Sequence, residues 1–184
     1  MNILAISGSL RRDSHNTALL RAAAGHLPPG VELELWEGLR DVPPYDQDDD
    51  VEPAPAAVGA LREAVASADA VLIATPEYNH SIPGALKNAL DWASRPYATS
   101  AFRGKPVAVI GASVGLFGAV WAQAELRKVL TAMGARVVEG DMPVGQAHEA
   151  FDHDGTLVDE SHHDRLDDLL DALVEAARPV RVAA

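Results

Sequence analysis

Hydrogen-bonding side chains are concentrated in the sequence SGSLRRDSHNT, residues 7–17, between a strand-like apolar run and a helical pattern. Such a junction places backbone N–H groups and the positive end of a helix dipole at one point. A phosphate there is stabilised by about 0.3–1 kcal/mol, and by up to about 2 kcal/mol when partly buried. The side chains that can donate further hydrogen bonds are Ser7, Ser9, Arg11 or Arg12, Ser14, Asn16 and Thr17. The stretch therefore predicts an anion site.

The composition of this loop indicates the kind of anion. Gly8 is its single glycine, so the loop is not the Gly-x-Gly-x-x-Gly of a dinucleotide site, and no Gly-Lys-Ser/Thr of a P-loop follows it. A hydroxyl-rich loop favours a compact monophosphate over a pyrophosphate, which needs close backbone approach. The alternative is that Ser14 or Asn16 only caps the helix while the arginines are solvated.

A second stretch, TPEYNHSIPGALKNALDW at residues 75–92, also follows an apolar strand pattern. Pro76 and Pro83 stiffen the two ends of its loop. A rigid loop at the end of a strand can present N–H and C=O groups to the edge of a flat heterocycle, with Tyr78 offering apolar surface. The alternative is that Tyr78 only packs and that Glu77 and His80 are solvated loop residues.

The apolar pattern along the chain alternates between strand and helix periods, which predicts an α/β fold with a parallel sheet. The predicted strands cover residues 2–7, 31–36, 69–75, 105–113 and 135–140. The predicted helices cover residues 17–27, 56–68, 83–94, 118–134 and 162–179. Five of each predict one flavodoxin-like domain over residues 1–184. Its doubly wound five-stranded parallel sheet has the order 2-1-3-4-5, helices on both faces and a ligand at the carboxyl ends of the strands.

Composition excludes several classes of function. The formal net charge of −12 argues against a nucleic-acid partner, which needs a basic surface. The chain has no cysteine, so disulfides, iron–sulfur clusters and thiol redox chemistry are ruled out. No apolar run is long enough to span a bilayer, and we expect a cytoplasmic protein. The Pro- and Asp-rich residues 41–58 predict a surface loop beside the site, or an oligomer contact, with a structural role.

Three stretches together resemble the NADPH-dependent FMN reductases, the flavodoxin-like family of quinone, azo and chromate reductases. The stretches are GSLRRDSHNT, PEYNHSIPGALKNALDW and GASVGLFGAVWAQAELRKVLTAMGA, at residues 8–17, 76–92 and 111–135. The resemblance runs from residue 1 to about residue 140 and implies non-covalent FMN. One departure is visible at Leu116 and Phe117, where the family is often richer in glycine. This difference affects the expected contacts on that side of the flavin pocket and the size of the substrate opening.

The resemblance also implies which residues bind the cofactor. The FMN phosphate site is assigned to Ser9, Arg11, Ser14, Asn16 and Thr17. The loop along the isoalloxazine ring is assigned to Pro76, Glu77, Tyr78 and Asn79. The second wall of the flavin pocket is assigned to Ser113 and Gly115. We assign no catalytic side chain, because hydride transfer on a flavin depends on ring position and on donors. The N–H groups of Tyr78 and Asn79 are the expected donors near flavin N5 and O4.

The function that the resemblance implies is an FMN-dependent NAD(P)H oxidoreductase. Electrons would pass from NADPH or NADH through FMN to a small-molecule acceptor: a quinone, an azo compound, a free flavin or a metal oxyanion. No pocket for the 2′-phosphate of NADPH is recognisable in the sequence. The alternative is a flavodoxin-type electron carrier without its own NAD(P)H reaction. The family also implies a homodimer or homotetramer, with Leu86, Leu90 and Trp92 of the helix near the flavin and the interface.

The sequence FDHDGTLVDE, residues 151–160, matches the Asp-x-Asp-Gly-Thr signature of haloacid-dehalogenase-type phosphatases. No buried strand pattern precedes it and too few residues follow for such a domain, so we interpret Asp154-Gly155 as a turn. The histidines His148, His153, His162 and His163 lie among acids, but their spacing predicts surface residues and no metal site.

Overall fold

A parallel sheet with helices on both faces forms the core of the structure, a computed structural model that describes residues 1–178. Its strands are β1 (Asn2–Ser7), β2 (Glu32–Trp36), β3 (Ala70–Ala74), β4 (Pro106–Ala112), β5 (Arg136–Val137) and β6 (Pro143–Val144). Its helices are α1 (His15–Ala24), α2 (Ala56–Ser67), α3 (Gly84–Ala93), α4 (Val120–Ala132) and α5 (Glu160–Ala177). The strand order is β2-β1-β3-β4-β5, and β6 pairs with the end of β4. The predicted flavodoxin-like order is therefore confirmed.

The two faces of the sheet are covered by different helices. Every residue of β3 and β4 is buried, as expected for apolar runs at the centre of a parallel sheet. Along β1 the side chains alternate between faces: Leu4 and Ile6 pack with α2, α3 and α4, while Ile3 and Ala5 pack with α1 and α5. This alternation follows from the two-residue period of a strand.

Element boundaries differ from the prediction in a few places. The sixth strand was not expected, because two residues are too short to show a period. Helix α1 begins at His15, two residues before the predicted start, since Ser14 caps it. Pro83 is the N-cap of α3, one position before its first residue. Helix α5 covers Glu160–Ala177, and the predicted end at Pro179 lies outside the described residues.

The Pro- and Asp-rich segment after β2 packs on helix α3. The carbonyl oxygen of Pro43 accepts hydrogen bonds from Asn88 Nδ2 at 2.8 Å and from Trp92 Nε1 at 2.9 Å. Asp50 forms an ion pair with Arg62 of α2 at 2.8 Å. These contacts give the segment a structural role, as the sequence predicts. Within residues 1–178, none of the helices combines the length and the apolar character that crossing a bilayer requires.

The loops after β1, β3 and β4 meet at the carboxyl edge of the sheet. The Gly8 N–H donates to the carbonyl of Ala74 at the end of β3, at 2.8 Å. A Cβ on Gly8 would lie 3.0 Å from Leu86 Cδ2 and 3.3 Å from the Ala74 oxygen. Glycine thus lets the β1–α1 loop approach the β3–α3 loop closely, which brings the first two predicted site stretches together.

Candidate cofactor site at the carboxyl edge of the sheet

Three loops line one cavity of about 110 Å³ at this edge. Eight of the eleven residues that the sequence assigns to the site line it: Ser9, Arg11, Ser14, Asn16, Pro76, Glu77, Tyr78 and Ser113. His15, Ala112 and Val114 complete the lining. The other three assigned residues do not line it: Asn79 and Gly115 belong to the same loops, and Thr17 belongs to the first turn of α1. The structure therefore brings the three stretches to one point; which ligand they bind remains a prediction.

The N-terminus of α1 forms the anion-binding end of the cavity. The Ser14 side-chain oxygen accepts a hydrogen bond from the Thr17 N–H at 3.3 Å, so Ser14 caps the helix and its hydroxyl hydrogen can still be donated. Within residues 1–178, the N–H groups of His15 and Asn16 have no protein acceptor. These two donors, together with the helix dipole, are what a phosphate at a helix N-terminus uses.

The Asn16 side chain joins α1 to β4. Its Nδ2 donates to the Ala112 carbonyl and its Oδ1 accepts from the Ala112 N–H, both at 2.9 Å. Asn16 is only 3 % exposed. An anion would therefore meet the backbone N–H of Asn16, while the side chain holds the β1–α1 and β4–α4 loops together.

The other polar side chains of the β1–α1 loop and the first turn of α1 differ in whether their hydrogen-bonding groups are already paired within the protein. The Thr17 hydroxyl donates to the Ser7 oxygen at the end of β1, at 2.9 Å. Ser9 Oγ accepts from the Arg11 N–H at 3.4 Å. The exposed Arg11 guanidinium donates to the Asp13 carbonyl at 3.2 Å and has no carboxylate partner within the described chain. Arg11 is the one cation lining this cavity.

The β3–α3 loop contains a tight two-residue turn. Tyr78 and Ser81 exchange two backbone hydrogen bonds, of 3.0 and 3.1 Å. Asn79 and His80 between them have φ values of +54° and +59°, the left-handed pair that short hairpin turns require. The Tyr78 N–H is thus donated to Ser81, and the prediction that it faces a flavin is wrong. The Asn79 N–H has no acceptor among the described residues, so its role stays a prediction.

Glu77 connects two walls of the cavity. Its Oε2 accepts hydrogen bonds from the backbone N–H groups of Trp121 and Ala122, at 3.1 and 3.2 Å. These groups belong to the first turn of α4, whose N-cap residue, Ala119, provides no side-chain cap. Glu77 therefore caps α4 from another loop, and its carboxylate is already committed to that helix.

Exposed apolar side chains form a rim in and next to the loops that line the cavity, and Tyr78 and Val114 of this rim are part of the lining. Its exposed side chains are Tyr78, Val114, Leu116, Phe117 and Trp121. The Trp121 ring makes edge-to-face contacts with His80 at 4.8 Å and with Phe117 at 5.1 Å between centroids. The departure at Leu116 and Phe117 thus adds large exposed apolar groups to the opening. Gly115 in the same loop is also exposed and donates its N–H to Ser113 Oγ at 3.1 Å.

His15 is a lining residue that the sequence analysis missed. It stacks on Phe151 with ring centroids 6.4 Å apart and planes 7° apart. Burial lowers the pKa of His15 below its ordinary value, and the nearby positive charges of Arg11 and His148 act in the same direction. Its position directly after the N-cap Ser14 was the available signal, because its N–H is one of the unpaired groups at the helix N-terminus.

The other predicted features are placed as follows. Leu86, Leu90 and Trp92 are at most 3 % exposed, so they pack against the sheet and are not available to an interface. Asp154-Gly155 forms the predicted turn, and Asp152 Oδ1 accepts from the Asp154 and Thr156 N–H groups at 2.9 Å. These bonds, that of Thr156 first, lower the pKa of Asp152. Within residues 1–178 the turn is flanked by the isolated Phe151–Leu157 bridge and follows none of the strands β1 to β6 directly, in contrast to a phosphatase nucleophile.

The predicted surface histidines fall into two groups. His148 and His153 are exposed, whereas His162 and His163 are partly buried. His163 makes hydrogen-bonding contacts with the Leu157 carbonyl at 2.7 Å and with His26 at 3.1 Å. The ligand atoms of Asp152, His153 and Asp154 lie within 4.8 Å of one another, but all three residues are exposed. The three residues are part of the hydrogen-bonded turn at Asp154-Gly155 described above.

The fold and the site define a flavodoxin-like protein with a phosphate-sized cavity beside an open apolar rim. The model of the family described as NADPH-dependent FMN reductase matches residues 1–149, and the chain belongs to this family. It is 42 % identical to an NAD(P)H-dependent FMN reductase of Pseudomonas aeruginosa, over 98 % of this chain and 97 % of that protein. It is 38 % identical to a 2-hydroxy-1,4-benzoquinone reductase of a Burkholderia species, over 99 % of each.

A solved structure agrees with these relatives. FerB, a flavoenzyme NAD(P)H:(acceptor) oxidoreductase of Paracoccus denitrificans, superimposes with a TM-score of 0.84 and 39 % identity over 96 % of both chains. The chain is therefore a flavin-dependent NAD(P)H oxidoreductase, and the electron-carrier alternative is not favoured. The family uses FMN, with NAD(P)H as electron donor.

The residues present fit FMN. The cavity volume of about 110 Å³ suits a phosphate group rather than a whole mononucleotide, and two unpartnered N–H groups and Arg11 are available there as donors. A flat ring system fits the open rim, between the β3–α3 hairpin and the exposed residues after β4. The donor set at the enclosed end is that of a monophosphate site.

Proposed function

We propose that FMN binds with its phosphate at the N-terminus of α1 and its ring between the β3–α3 and β4–α4 loops. The observation that carries this proposal is the convergence of three loops on one cavity with unpartnered N–H donors. Bound FMN supplies the redox chemistry, accepting hydride from NAD(P)H and passing electrons to an acceptor. The chain's own residues bind and orient: Arg11 and the N–H groups of α1 hold the phosphate.

The rest of the chain's contribution is the positioning of the two walls. Glu77 ties the β3–α3 loop to α4, and Asn16 ties α1 to the end of β4. Both contacts fix the distance between the two walls. A flavin ring between them would then stay accessible to a second planar molecule, such as the nicotinamide, at a defined distance. The Asn79 N–H is the proposed donor to the ring edge, because it lies in the hairpin and has no acceptor within residues 1–178.

We propose a quinone as the acceptor class. Named relatives act on quinones, among them the 2-hydroxy-1,4-benzoquinone reductase and a quinone reductase of Pseudomonas putida that is 38 % identical. The apolar and aromatic rim, with Leu116 71 % exposed and Phe117 60 % exposed, is suited to a flat, largely apolar molecule. Azo compounds, free flavins and metal oxyanions are the other acceptors to assay.

The same rim supports a proposed homodimer or homotetramer. Exposed large apolar groups at one place are unusual for a monomer, and they replace Leu86, Leu90 and Trp92 as the proposed contact residues. Sedimentation at micromolar concentration should show an oligomer, and the Leu116→Ser variant should shift it towards monomer. A monomeric wild type would contradict the proposal. We place the protein in the cytoplasm, where NAD(P)H is the common reductant.

The test of the proposed function is the reaction of the purified yellow protein with NADPH under anaerobic conditions. We expect the flavin absorbance to bleach on NADPH addition and to return when a benzoquinone is added. Flavin that remains oxidised at saturating NADPH and NADH would contradict an oxidoreductase and favour a carrier.

The test of the site is the FMN affinity of Arg11→Ala. Loss of one charge-assisted hydrogen bond of ordinary strength predicts a Kd for FMN raised about tenfold or more. Arg103→Ala is the matched control, because Arg103 is also exposed but lies just before β4, at the opposite end of that strand from the cavity. Equal FMN affinity in the two variants would contradict the proposed phosphate site.

A further inference from the structure

A second cavity lies on the other side of the β1–α1 loop. Its volume is about 340 Å³, and it is bounded by that loop, the outer side of α1 and the residues that follow β2. Four arginines line it: Arg11, Arg12, Arg21 and Arg40. One carboxylate, Glu37, is also in the lining. Four cationic residues around one cavity are notable in a chain with a formal net charge of −12.

The positive charge of this cavity is only partly offset by Glu37. None of the four arginines forms an ion pair within residues 1–178, whereas Arg62 and Arg127 elsewhere pair with Asp50 and Asp141. The Arg40 guanidinium donates only to the carbonyl of Leu10, at 2.6 Å. Like charges brought around a concave surface repel one another unless an anion binds between them. The cavity is therefore suited to a ligand with more than one negative charge.

The remaining lining is apolar and includes one aromatic ring. Trp36, at the end of β2, is partly buried and lines the cavity together with Leu35 and Leu39. A Cβ on Gly38 would lie 2.6 Å from Trp36 Cζ2. Glycine at this position therefore allows the indole ring to occupy its observed place. An indole beside guanidinium groups is a surface on which a purine base stacks while its phosphates pair with arginine. The lining thus matches a phosphorylated nucleoside.

The two cavities are neighbours, because both are lined by Ser9 and Arg11. We propose that the second cavity binds the 2′-phosphorylated adenosine end of NADPH, with Arg12, Arg21 and Arg40 as the specificity-determining residues. This inference rests on the proposed function. In this proposal the nicotinamide lies at the apolar rim and the rest of the donor follows the β1–α1 loop, whose Ser9 and Arg11 line both cavities. The 2′-phosphate is the one group that NADH lacks, and a phosphate monoester is a group that unpaired guanidinium side chains bind.

The kinetic test uses the holoprotein with Arg12 and Arg40 both replaced by alanine, and Arg103→Ala as the control. The rate of anaerobic flavin reduction is measured against NADPH and NADH concentration at one ionic strength. The double variant should raise the KM for NADPH at least about tenfold more than the KM for NADH, the factor of one charge-assisted hydrogen bond. Equal changes for both donors, or none, would overturn the proposal. Failure of the proposed function differs from this, because neither donor would then reduce the wild-type flavin.

The binding test uses two fragments of the donor. Adenosine 2′,5′-bisphosphate should bind the oxidised wild-type holoprotein and compete with NADPH, more weakly in the double variant, whereas 5′-AMP should bind at least about tenfold less well. The variant should also keep the FMN content of the wild type. A loss of FMN from the variant would overturn the inference, because the arginines would then belong to the flavin phosphate site. Equal affinity for the two fragments would overturn it as well.

Discussion

Removing the Glu77 carboxylate should destabilise the protein and open the cofactor site. Its Oε2 lies 3.1 and 3.2 Å from two N–H groups of the first turn of α4, and its side chain is only 14 % exposed. Loss of a helix N-cap costs about 0.5–2 kcal/mol, and a hydrogen bond to a charged group contributes about 1.5–3 kcal/mol. Water can partly replace the lost acceptor at the exposed Trp121, so Glu77→Ala should lower the free energy of unfolding by about 2 kcal/mol.

The assay is thermal unfolding of the FMN-free protein, followed by circular dichroism. For a chain of this size, about 2 kcal/mol corresponds to a fall in Tm of about 4–8 °C. Glu77→Gln keeps an acceptor oxygen and loses the interactions of the charge with the helix dipole and with the exposed His80 at 3.5 Å. It should therefore cost about 0.3–1 kcal/mol, or about 1–4 °C. Glu63→Ala, on the exposed side of α2, is the control and should stay within about 0.5 kcal/mol of wild type.

A second measurement separates the capping role from direct contact with the cofactor. If Glu77 acts by holding the two walls together, Glu77→Ala should weaken FMN binding more than Glu77→Gln does, in the same order as the Tm values. If the FMN-free Glu77→Ala protein had the same Tm as the Glu63→Ala control, the capping role would be refuted. Equal losses of FMN affinity in the two Glu77 variants would refute the positioning argument.

Three further predictions concern other contacts. Asn16→Ala leaves the N–H and C=O of Ala112 without partners at a site that is 2–3 % exposed and should cost about 2–4 kcal/mol in urea unfolding; an unchanged midpoint would contradict it. Trp92→Phe removes the Trp92 Nε1 hydrogen bond to Pro43 and should speed proteolysis within residues 43–50, which equal digestion rates would disprove. Because burial lowers the pKa of His15, the folded state takes up that proton less readily than the unfolded state. The stability is then full above about pH 6.5, the ordinary histidine value, and falls as the pH drops below it. The His15→Asn variant should lose less stability between about pH 7.5 and pH 5.5, and parallel curves would be the negative result.

The sequence predicts those parts of the fold that depend on local pattern. β3 and β4 are continuous apolar runs, and both are buried along their whole length. The strand order follows from general rules for parallel sheets, once the alternation of strands and helices is recognised. β6 could not be predicted, because Pro143 and Val144 carry no periodic signal and are defined only by their pairing with β4.

For the candidate site, the sequence predicts which loops meet. It does not predict which of their polar atoms are already hydrogen-bonded within the protein. The contacts of Glu77 with α4 and of Asn16 with Ala112 join residues that are 44 to 96 positions apart, beyond any local pattern. The Tyr78–Ser81 hairpin was missed because Asn79-His80 lacks the glycine that usually marks such a turn. The arginine cavity could not be predicted from the sequence either, because Arg21 and Arg40 belong to separate elements and no local pattern brings them together.

The most direct measurement is a titration of the FMN-free protein with FMN, followed by tryptophan fluorescence and by Tm. Convergence of the three loops on a monophosphate site predicts saturable binding of one FMN per chain and a Tm that rises with FMN concentration. Riboflavin, which lacks the phosphate, should bind at least about tenfold more weakly. Fluorescence and Tm values that do not respond to saturating FMN would contradict the assignment of this cavity.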